Sequence, residues 1–372
     1  MKPYCLDNEF FGNDNKMLFI NPDNVFYMIN PGDMVLVSNG EFVYKDQKIK
    51  TDLNGFGCYA SVSGFAFIRE NYLIINNDFR EFSIQNNIVN SSIEKLKKDF
   101  VLSKLLEFGI NNNGAFLGNE IVKDYKKLII NLNEKFLYSN NKFSIIDNVL
   151  DFYNVVDLIS REFNYNTFVF VPKRDKSLYD SITSIMGSFP LIRTIFVDEK
   201  YPFNQSEFLI SKYLKRVSKN DCLFLEVDTL VNIISVLKKN AVVQEKYVTL
   251  VSKDLGIYST IKVKYGTSLT EFLKFIIGDN YMSYDYYFNN VLERVKCKNI
   301  GFVIIDNDID TIYISNKNNV INYECIRCGL CNNVCPLKLN RMVSLECCNK
   351  CGLCNNVCPS NINLVHKEEN YE

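Results

Sequence analysis

Nine of the chain's thirteen cysteines fall between positions 325 and 358, and eight of these form two runs of one pattern. The first is Cys325-x2-Cys328-x2-Cys331-x3-Cys335-Pro336; the second is Cys348-x2-Cys351-x2-Cys354-x3-Cys358-Pro359, and CGLCNNVCP is identical in both. Three thiolates at i, i+3 and i+6 wrap three irons of a cubane from one short loop, while the fourth, followed by proline, is directed away and ligates the other cluster. The spacing therefore assigns Cys325, Cys328, Cys331 and Cys358 to one [4Fe–4S] cluster, and Cys348, Cys351, Cys354 and Cys335 to a second. Gly329 and Gly352 stand at the tight turns between ligands, where a side chain would crowd the cluster. Zinc also uses Cys-x2-Cys pairs, but one zinc ion takes four ligands, and two complete runs exceed that need. Cys347 is out of register and reads as a thiol that binds nothing. Two clusters in one small module imply a relay of single electrons and name neither donor nor acceptor.

Composition bounds what surrounds this pair. A chain of 372 residues exceeds one compact core, so two to four domains are expected. Its 42 basic and 43 acidic side chains nearly cancel, which excludes the broad positive field that holds nucleic acid. No apolar run is long enough for a transmembrane helix. The opening MKPYCLDNEFF has no signal-peptide apolar segment. The expectation is a cytoplasmic protein, with peripheral attachment to the cytoplasmic face of a membrane complex left open. The single histidine, His366, reads as an exposed tail residue and excludes a Ser/His/Asp triad or a histidine-based metal site elsewhere. Cys5, Cys58, Cys222 and Cys297 are scattered and read as isolated, inert thiols.

The elements that must position the cysteines follow from hydrophobic periodicity. Residues 1–90 alternate short apolar runs (MLFI, VFYMI, MVLV, EFVY, ASVSGFAFI, YLIIN) with Gly, Asn and Asp turns, predicting an all-β module, and NPGDMVLVSNGEFVYKDQKIKTD followed by ASVSGFAFI resembles the barrel-sandwich type of lipoyl and biotinyl carriers. Carrier modules of that type need a lysine at a hairpin tip; Ala60-Ser61-Val62-Ser63 precedes Gly64 instead, which favours a structural role. Over 91–242 a helix ending at Gly109 leads into strands KLIINLN, TFVFVPK, IRTIFVDE and CLFLEVD alternating with helices, predicting an α/β domain with a mainly parallel sheet. Residues 243–315 read as a small β-grasp module, with GFVIID and TIYIS as a closing hairpin; the aromatic stretch 279–300 yields no reading. The fold class expected is thus multidomain, α+β with α/β, ending in a dicluster ferredoxin domain at 316–372.

This order of modules, together with CIRCGLCNNVCP and the second run ending NVCPSNINLV, resembles the C subunit of the Rnf electron-transport complex and the related electron-transfer protein of the proline reductase system. The resemblance implies an SLBB-type β-grasp segment in KYVTLVSKDLG with KVKYGTSLTEFL. It implies an α/β domain similar to the flavin- and NADH-binding subunit of respiratory complex I, with FMN and NADH as further cofactors. It also implies redox protein partners, either subunits of a membrane-bound complex or a soluble reductase. In the family a Gly-rich loop cradles the cofactor phosphates; here it is shortened to Gly109-Ile-Asn-Asn-Asn-Gly114-Ala-Phe-Leu-Gly118, with Lys123 at the place of the lysine that follows. A second family segment matches at Asn131, Glu134 and Tyr138, and a third survives as Tyr201-Pro202-Phe-Asn-Gln-Ser-Glu207 without its glycines. Two readings stand: the fold persists while the nucleotide site has decayed, or a flavin or NADH site survives on Gly109, Gly114, Lys123, Asn131 and Glu134. The chain is expected to be an electron relay. Its own NADH oxidation is a second reading, and a non-redox interaction subunit with structural clusters is a third.

Overall fold

Short β-branched and aromatic runs bounded by turn residues, followed by longer amphipathic ones, produce a mixed α+β molecule with several sheets, one of them parallel. The computed structural model describes residues 6–7, 18–84, 92–112, 114–136, 141–214, 217–317, 323–339 and 348–365. Near the N-terminus, strands Asn24–Met28, Tyr72–Asn77, Gly64–Arg69 and Phe42–Val43 form one antiparallel sheet, and Met34–Val35, Lys48–Thr51 and Gly57–Tyr59 a second. Val25, Val43, Ile49, Ala60, Val62, Leu73 and Ile75 are fully buried between them. The segment before Gly64 is no exposed hairpin tip. Ser61 and Ser63 are buried, and the Ser61 hydroxyl donates to the Tyr265 carbonyl at 2.6 Å.

The MLFI run departs from expectation. Leu18–Ile20 pairs in parallel with Ile257–Lys264 and forms the edge of a five-stranded sheet ordered Tyr284–Phe288, Thr311–Asn316, Glu245–Ser252, Ile257–Lys264, Leu18–Ile20. Ile20 explains the choice: it is buried with Val248, Ile261, Val263 and Leu269 rather than in the N-terminal core. The closing hairpin is also corrected. GFVIID makes a 3-10 turn (Ile300–Phe302) and a single antiparallel bridge from Ile304 to Ser268, and TIYIS pairs instead with the aromatic stretch, Tyr284 facing Asn316 through Phe288 facing Ile312. Asp285 in that strand is buried and ion-paired with Lys296, and Tyr287 meets Tyr313 edge-on, so the polar and aromatic residues that obscure the pattern are cross-strand partners.

Between these lies the parallel sheet, ordered Ile192–Val197, Asn166–Pro172, Lys127–Asn131, Cys222–Leu225. Helices Val149–Glu162 and Val227–Lys239 lie against one face, and Ser206–Tyr213 lies against the other. Phe152, Val155, Val156, Leu158 and Ile159 are fully buried at helical spacing on the first of these. Each such side chain contributes roughly 1.5–3 kcal/mol.

Charge joins the N-terminal sheets to the five-stranded sheet. Lys264 is 0% exposed and bonds Glu81 at 2.5 Å and Glu245 at 2.9 Å, while Lys45 holds Glu81 at 2.8 Å and Lys262 holds Glu245 at 2.6 Å. Burial alone would raise Glu245, but the hydrogen bonds from Lys262 and Lys264 outweigh it and hold the carboxyl at about 2, against an ordinary 4.5. A carboxyl lowered by folding stabilises the fold above its unfolded value, and that stability is lost as pH falls through the folded value. The contribution is therefore complete above about pH 4.5 and disappears towards pH 2. Replacing Lys264 by Met should cost about 2–3 kcal/mol at pH 7 in urea unfolding, and the gap between wild type and variant should narrow when the titration is repeated at pH 3.

Candidate metal centre

The two cysteine runs repeat in backbone conformation as well as in sequence. Left-handed residues recur at Arg327 and Lys350 (φ 55° and 52°), at Gly329 and Gly352 (72° and 75°), and at Lys338 and Asn361 (55° and 59°). Each pair has the 23-residue separation of Cys325 and Cys348. After each glycine the chain makes a short helical turn, Leu330–Val334 and Leu353–Asn356. Within each turn the two asparagine amides donate to the glycine carbonyl, at 3.1 and 3.2 Å in the first run and 3.0 and 3.2 Å in the second. The Tyr323 amide bonds the Ser360 carbonyl at 2.9 Å, tying one run to the other.

Local likeness ends at the surroundings. Cys325 and Cys328 are exposed and Cys331 and Cys358 half-buried, whereas Cys335, Cys351 and Cys354 are buried and Cys348 half-buried. The four cysteines assigned to one cluster are thus the outer set, and the four assigned to the other the inner set. The second run is seated on the segment 290–294 and on the loop after Ile192–Val197. Asn290 Nδ2 donates to the Lys350 carbonyl at 3.1 Å and to the Tyr201 hydroxyl at 3.2 Å, and that hydroxyl donates to the Cys351 carbonyl at 2.8 Å. Asn349 Nδ2 donates to Gln205 Oε1 at 3.0 Å. The fully buried Asn355 donates to the Leu292 carbonyl at 2.9 Å and accepts from the Leu364 amide at 2.7 Å. Tyr201 is 0% exposed, and its burial raises the phenol well above its usual range, so it stays a neutral hydroxyl.

The donor set suits iron–sulfur clusters. It is eight thiols without a competing histidine among the described residues. The Cys348 and Cys335 sulfurs accept backbone amides of Lys350 and Leu339 at 3.2 and 3.4 Å, the kind of hydrogen bond that tunes cluster potentials. No group of three or more His, Cys, Asp or Glu among the described residues gathers tightly enough for a single metal ion. The apolar core around the runs is small, with Tyr201, Val334, Leu353, Leu364 and Val365 as its buried members besides cysteines. The scattered cysteines differ: burial pushes Cys58 up to about 11 and raises Cys222 and Cys297, leaving protonated thiols. Cys5, Cys347, Tyr138 and His366 lie outside the described residues.

Beside the inner set stands the end of the parallel sheet. Strand order reverses between Lys127–Asn131 and Cys222–Leu225, and ligands of open parallel sheets bind outside the carboxyl ends at such a reversal. Asn131, the last residue of its strand, donates to the Asn204 carbonyl at 3.0 Å and the Ser206 hydroxyl at 3.2 Å, and Asn204 Nδ2 donates to the Glu134 carbonyl at 3.0 Å. The structure thus brings Asn131 and Glu134 together with the loop that also carries Tyr201. Asn133 and Asn204 are 6% and 1% exposed, and the side-chain oxygen of each lacks a hydrogen-bond partner. Such buried orphans cost about 1–3 kcal/mol apiece, and being acceptors they suit a ligand bearing N–H or O–H groups.

The remaining members of the set serve other contacts. Gly109 caps helix Lys98–Phe108, and a Cβ there would meet the Gly57 nitrogen at 3.0 Å and Phe56 Cα at 3.1 Å, so it seats the helix end on the N-terminal sheets. Gly114 lies in a small hairpin pairing Asn111–Asn112 with Ala115–Phe116, pinned by Asn112 Nδ2 to the Phe224 carbonyl at 2.7 Å. Lys123 pairs with Glu120 at 2.5 Å. Tyr201, Asn290, Arg294 and Asn355 are positioning residues that sequence reasoning did not single out. The repeated CGLCNNVCP contains Asn355, and Tyr201 opens the third family segment; Asn290 and Arg294 fall in the stretch without a readable pattern.

The seating predicts unequal glycine substitutions. At Gly352 a Cβ would meet Leu292 Cβ at 2.5 Å and its backbone carbon and oxygen at 2.7 and 2.8 Å, while at Gly329 nothing lies within 4 Å. Gly329→Ala should cost only the left-handed strain, about 1–2 kcal/mol. Gly352→Ala should cost several-fold more and release the second run from its seat, read as faster limited proteolysis after residue 348.

No family model and no curated protein matches this chain. Among solved structures it bears a distant likeness to a chain of the NAD+-reducing [NiFe]-hydrogenase in the H2-reduced state, with a TM-score of 0.46 and 10% identity over 63% of this chain and 53% of that one. This chain therefore matches about half the length of that chain.

Proposed function

We propose that this chain is an iron–sulfur electron-transfer protein that relays single electrons through two [4Fe–4S] clusters, as a subunit of an Rnf-like or reductase-associated redox complex. The observation that carries the reading is the cysteine run repeated at 23 residues with its backbone turns repeated in step. Each bound cluster would supply one-electron chemistry. The chain's own part is to hold Cys325, Cys328, Cys331 and Cys358 at the surface and Cys348, Cys351, Cys354 and Cys335 against the rest of the fold. Exposed Cys325 and Cys328 give an outer redox partner access, and Tyr201 and Gln205 place the inner set beside the end of the parallel sheet. No helix among the described residues is long and apolar enough to cross a membrane; cytoplasmic residence, peripheral to a membrane complex or in a soluble system, belongs to the proposal. So does the division at about 90, 242 and 315 into barrel-sandwich, α/β, SLBB-like and ferredoxin-type parts.

Anaerobically purified protein should hold about eight irons per chain; a zinc-only or metal-free product overturns the reading. The crossed assignment has its own signature. Cys335→Ser should abolish the same electron paramagnetic resonance signal as Cys351→Ser, and Cys358→Ser the same one as Cys325→Ser, with about four irons left in each case. If Cys335→Ser matches Cys325→Ser instead, each run keeps its own cluster. A subunit with merely structural clusters would lose assembly in these variants and show no separate loss of electron flow.

A second reading, NADH oxidation through bound flavin, is favoured by the orphaned acceptors of Asn133 and Asn204 at the strand-order reversal next to Asn131 and Glu134. Gly109 and Lys123, engaged elsewhere, weigh against a phosphate cradle in the 109–123 region. On this reading NADH bleaches the visible spectrum of the anaerobic holoprotein. A spectrum that dithionite bleaches and NADH leaves unchanged rules it out.

A further inference from the structure

Residues 291–294 place a permanent cation between the two cysteine sets. A 3-10 turn at Val291–Glu293 ends at Arg294, which sits in the left-handed region at φ 59° and ψ 29°. A non-glycine residue held there costs of order 1–3 kcal/mol and persists only where its surroundings impose it. What imposes it is the second cysteine run: Arg294 Nη2 donates to the Asn355 carbonyl at 2.8 Å, and Nη1 donates to the Asn361 carbonyl at 3.2 Å and to Asn361 Oδ1. Asn355 follows Cys354, of the inner set, and Asn361 lies three residues beyond Cys358, of the outer set. The guanidinium is half-buried. It therefore bonds the backbone next to Cys354 and three residues past Cys358, the two cysteines that the crossed pattern sends to different clusters.

We infer that Arg294 is a positioning residue that raises the reduction potentials of the two clusters by holding a fixed positive charge between Cys354 and Cys358. The inference rests on the electron-relay reading. Taking up one electron, from a reduced flavin or a reduced iron–sulfur protein, adds one negative charge to a thiolate-ligated group. A neighbouring cation stabilises the reduced form more than the oxidised one. Arginine suits the task because its charge is permanent and its planar fork fits two carbonyls at once. Partial burial keeps solvent from screening the field, which weakens far less than at the surface. The Lys350 and Leu339 amides on Cys348 and Cys335 act in the same sense. Glu293, next to it in the chain, carries the opposite charge, and its carboxylate accepts from Asn290 Nδ2 at 3.0 Å.

Arg294→Gln removes the charge and keeps a hydrogen-bonding side chain; Arg294→Lys keeps the charge; Glu293→Gln removes the opposing one. Each protein is purified anaerobically, assayed for iron and acid-labile sulfide, and titrated with dithionite against redox mediators under electron paramagnetic resonance. In Arg294→Gln the ratio of reduced to oxidised clusters at fixed ambient potential should fall about tenfold, a downward shift of about 59 mV for a one-electron couple. Arg294→Lys should recover most of that shift, and Glu293→Gln should move the potentials upward. Unchanged potentials in an iron-replete Arg294→Gln overturn the inference. Should both Arg294 variants lose their iron, Glu293→Gln decides: an upward shift sustains a charge effect at this turn, and no shift overturns it. A wild type without iron would sink the relay reading itself, whereas an iron-replete wild type with insensitive potentials sinks only this inference.

Discussion

The second cysteine run has to be fastened to the body of the protein without spending its sulfurs on the fastening. The chain meets this constraint by bonding to backbone carbonyls: Tyr201 to that of Cys351, Asn290 to that of Lys350, and Arg294 to those of Asn355 and Asn361. Gly352 has no Cβ because Leu292 occupies the space. Carbonyl contacts fix the loop through atoms whose positions do not depend on side-chain rotamers. Much of the molecule is arranged to present those donors. The parallel sheet carries the loop with Tyr201 and Gln205, and the five-stranded sheet ends strand Tyr284–Phe288 just before Asn290.

Identical local sequence and unequal surroundings together give the pair its direction. The first run folds like the second but, among the described residues, has no counterpart of the 290–294 seat, so Cys325 and Cys328 remain open while Cys351 and Cys354 are enclosed. The enclosed cysteines lie on the side of the Tyr201 loop, and the open ones on the surface. The N-terminal sheets act at a distance from this. Their buried Ser61 and the Lys264 network fix them to the five-stranded sheet, which suits a brace better than a swinging carrier.

Part of this was legible in the sequence. The cysteine spacing is a covalent constraint, and the backbone turns repeat in step with it. The parallel strands and their helices were legible because each buries a periodic apolar face, as Val149–Glu162 does. The stretch 279–300 was not legible, because Asp285 and its neighbouring tyrosines find cross-strand partners far along the chain and break any local period. For the same reason Leu18–Ile20 was assigned to the wrong sheet: its pattern says strand, and only the location of the core that takes Ile20 says which one.

The residues at the sheet end show where sequence stops. Asn131 and Glu134 meet the 201–206 loop in space, while Gly109 and Lys123, which share their family pattern, serve a helix cap and a surface ion pair. What the sequence by itself determined is the pair of repeated cysteine runs and the alternation of strands and helices, because both are set by residue type and short-range spacing. What only the tertiary structure decided is which cysteines are enclosed, which side chains seat the second run, and that Arg294 bonds its backbone after Cys354 and Cys358. Those properties depend on contacts between segments up to 150 residues apart, such as Tyr201 with Cys351, and no local pattern encodes them.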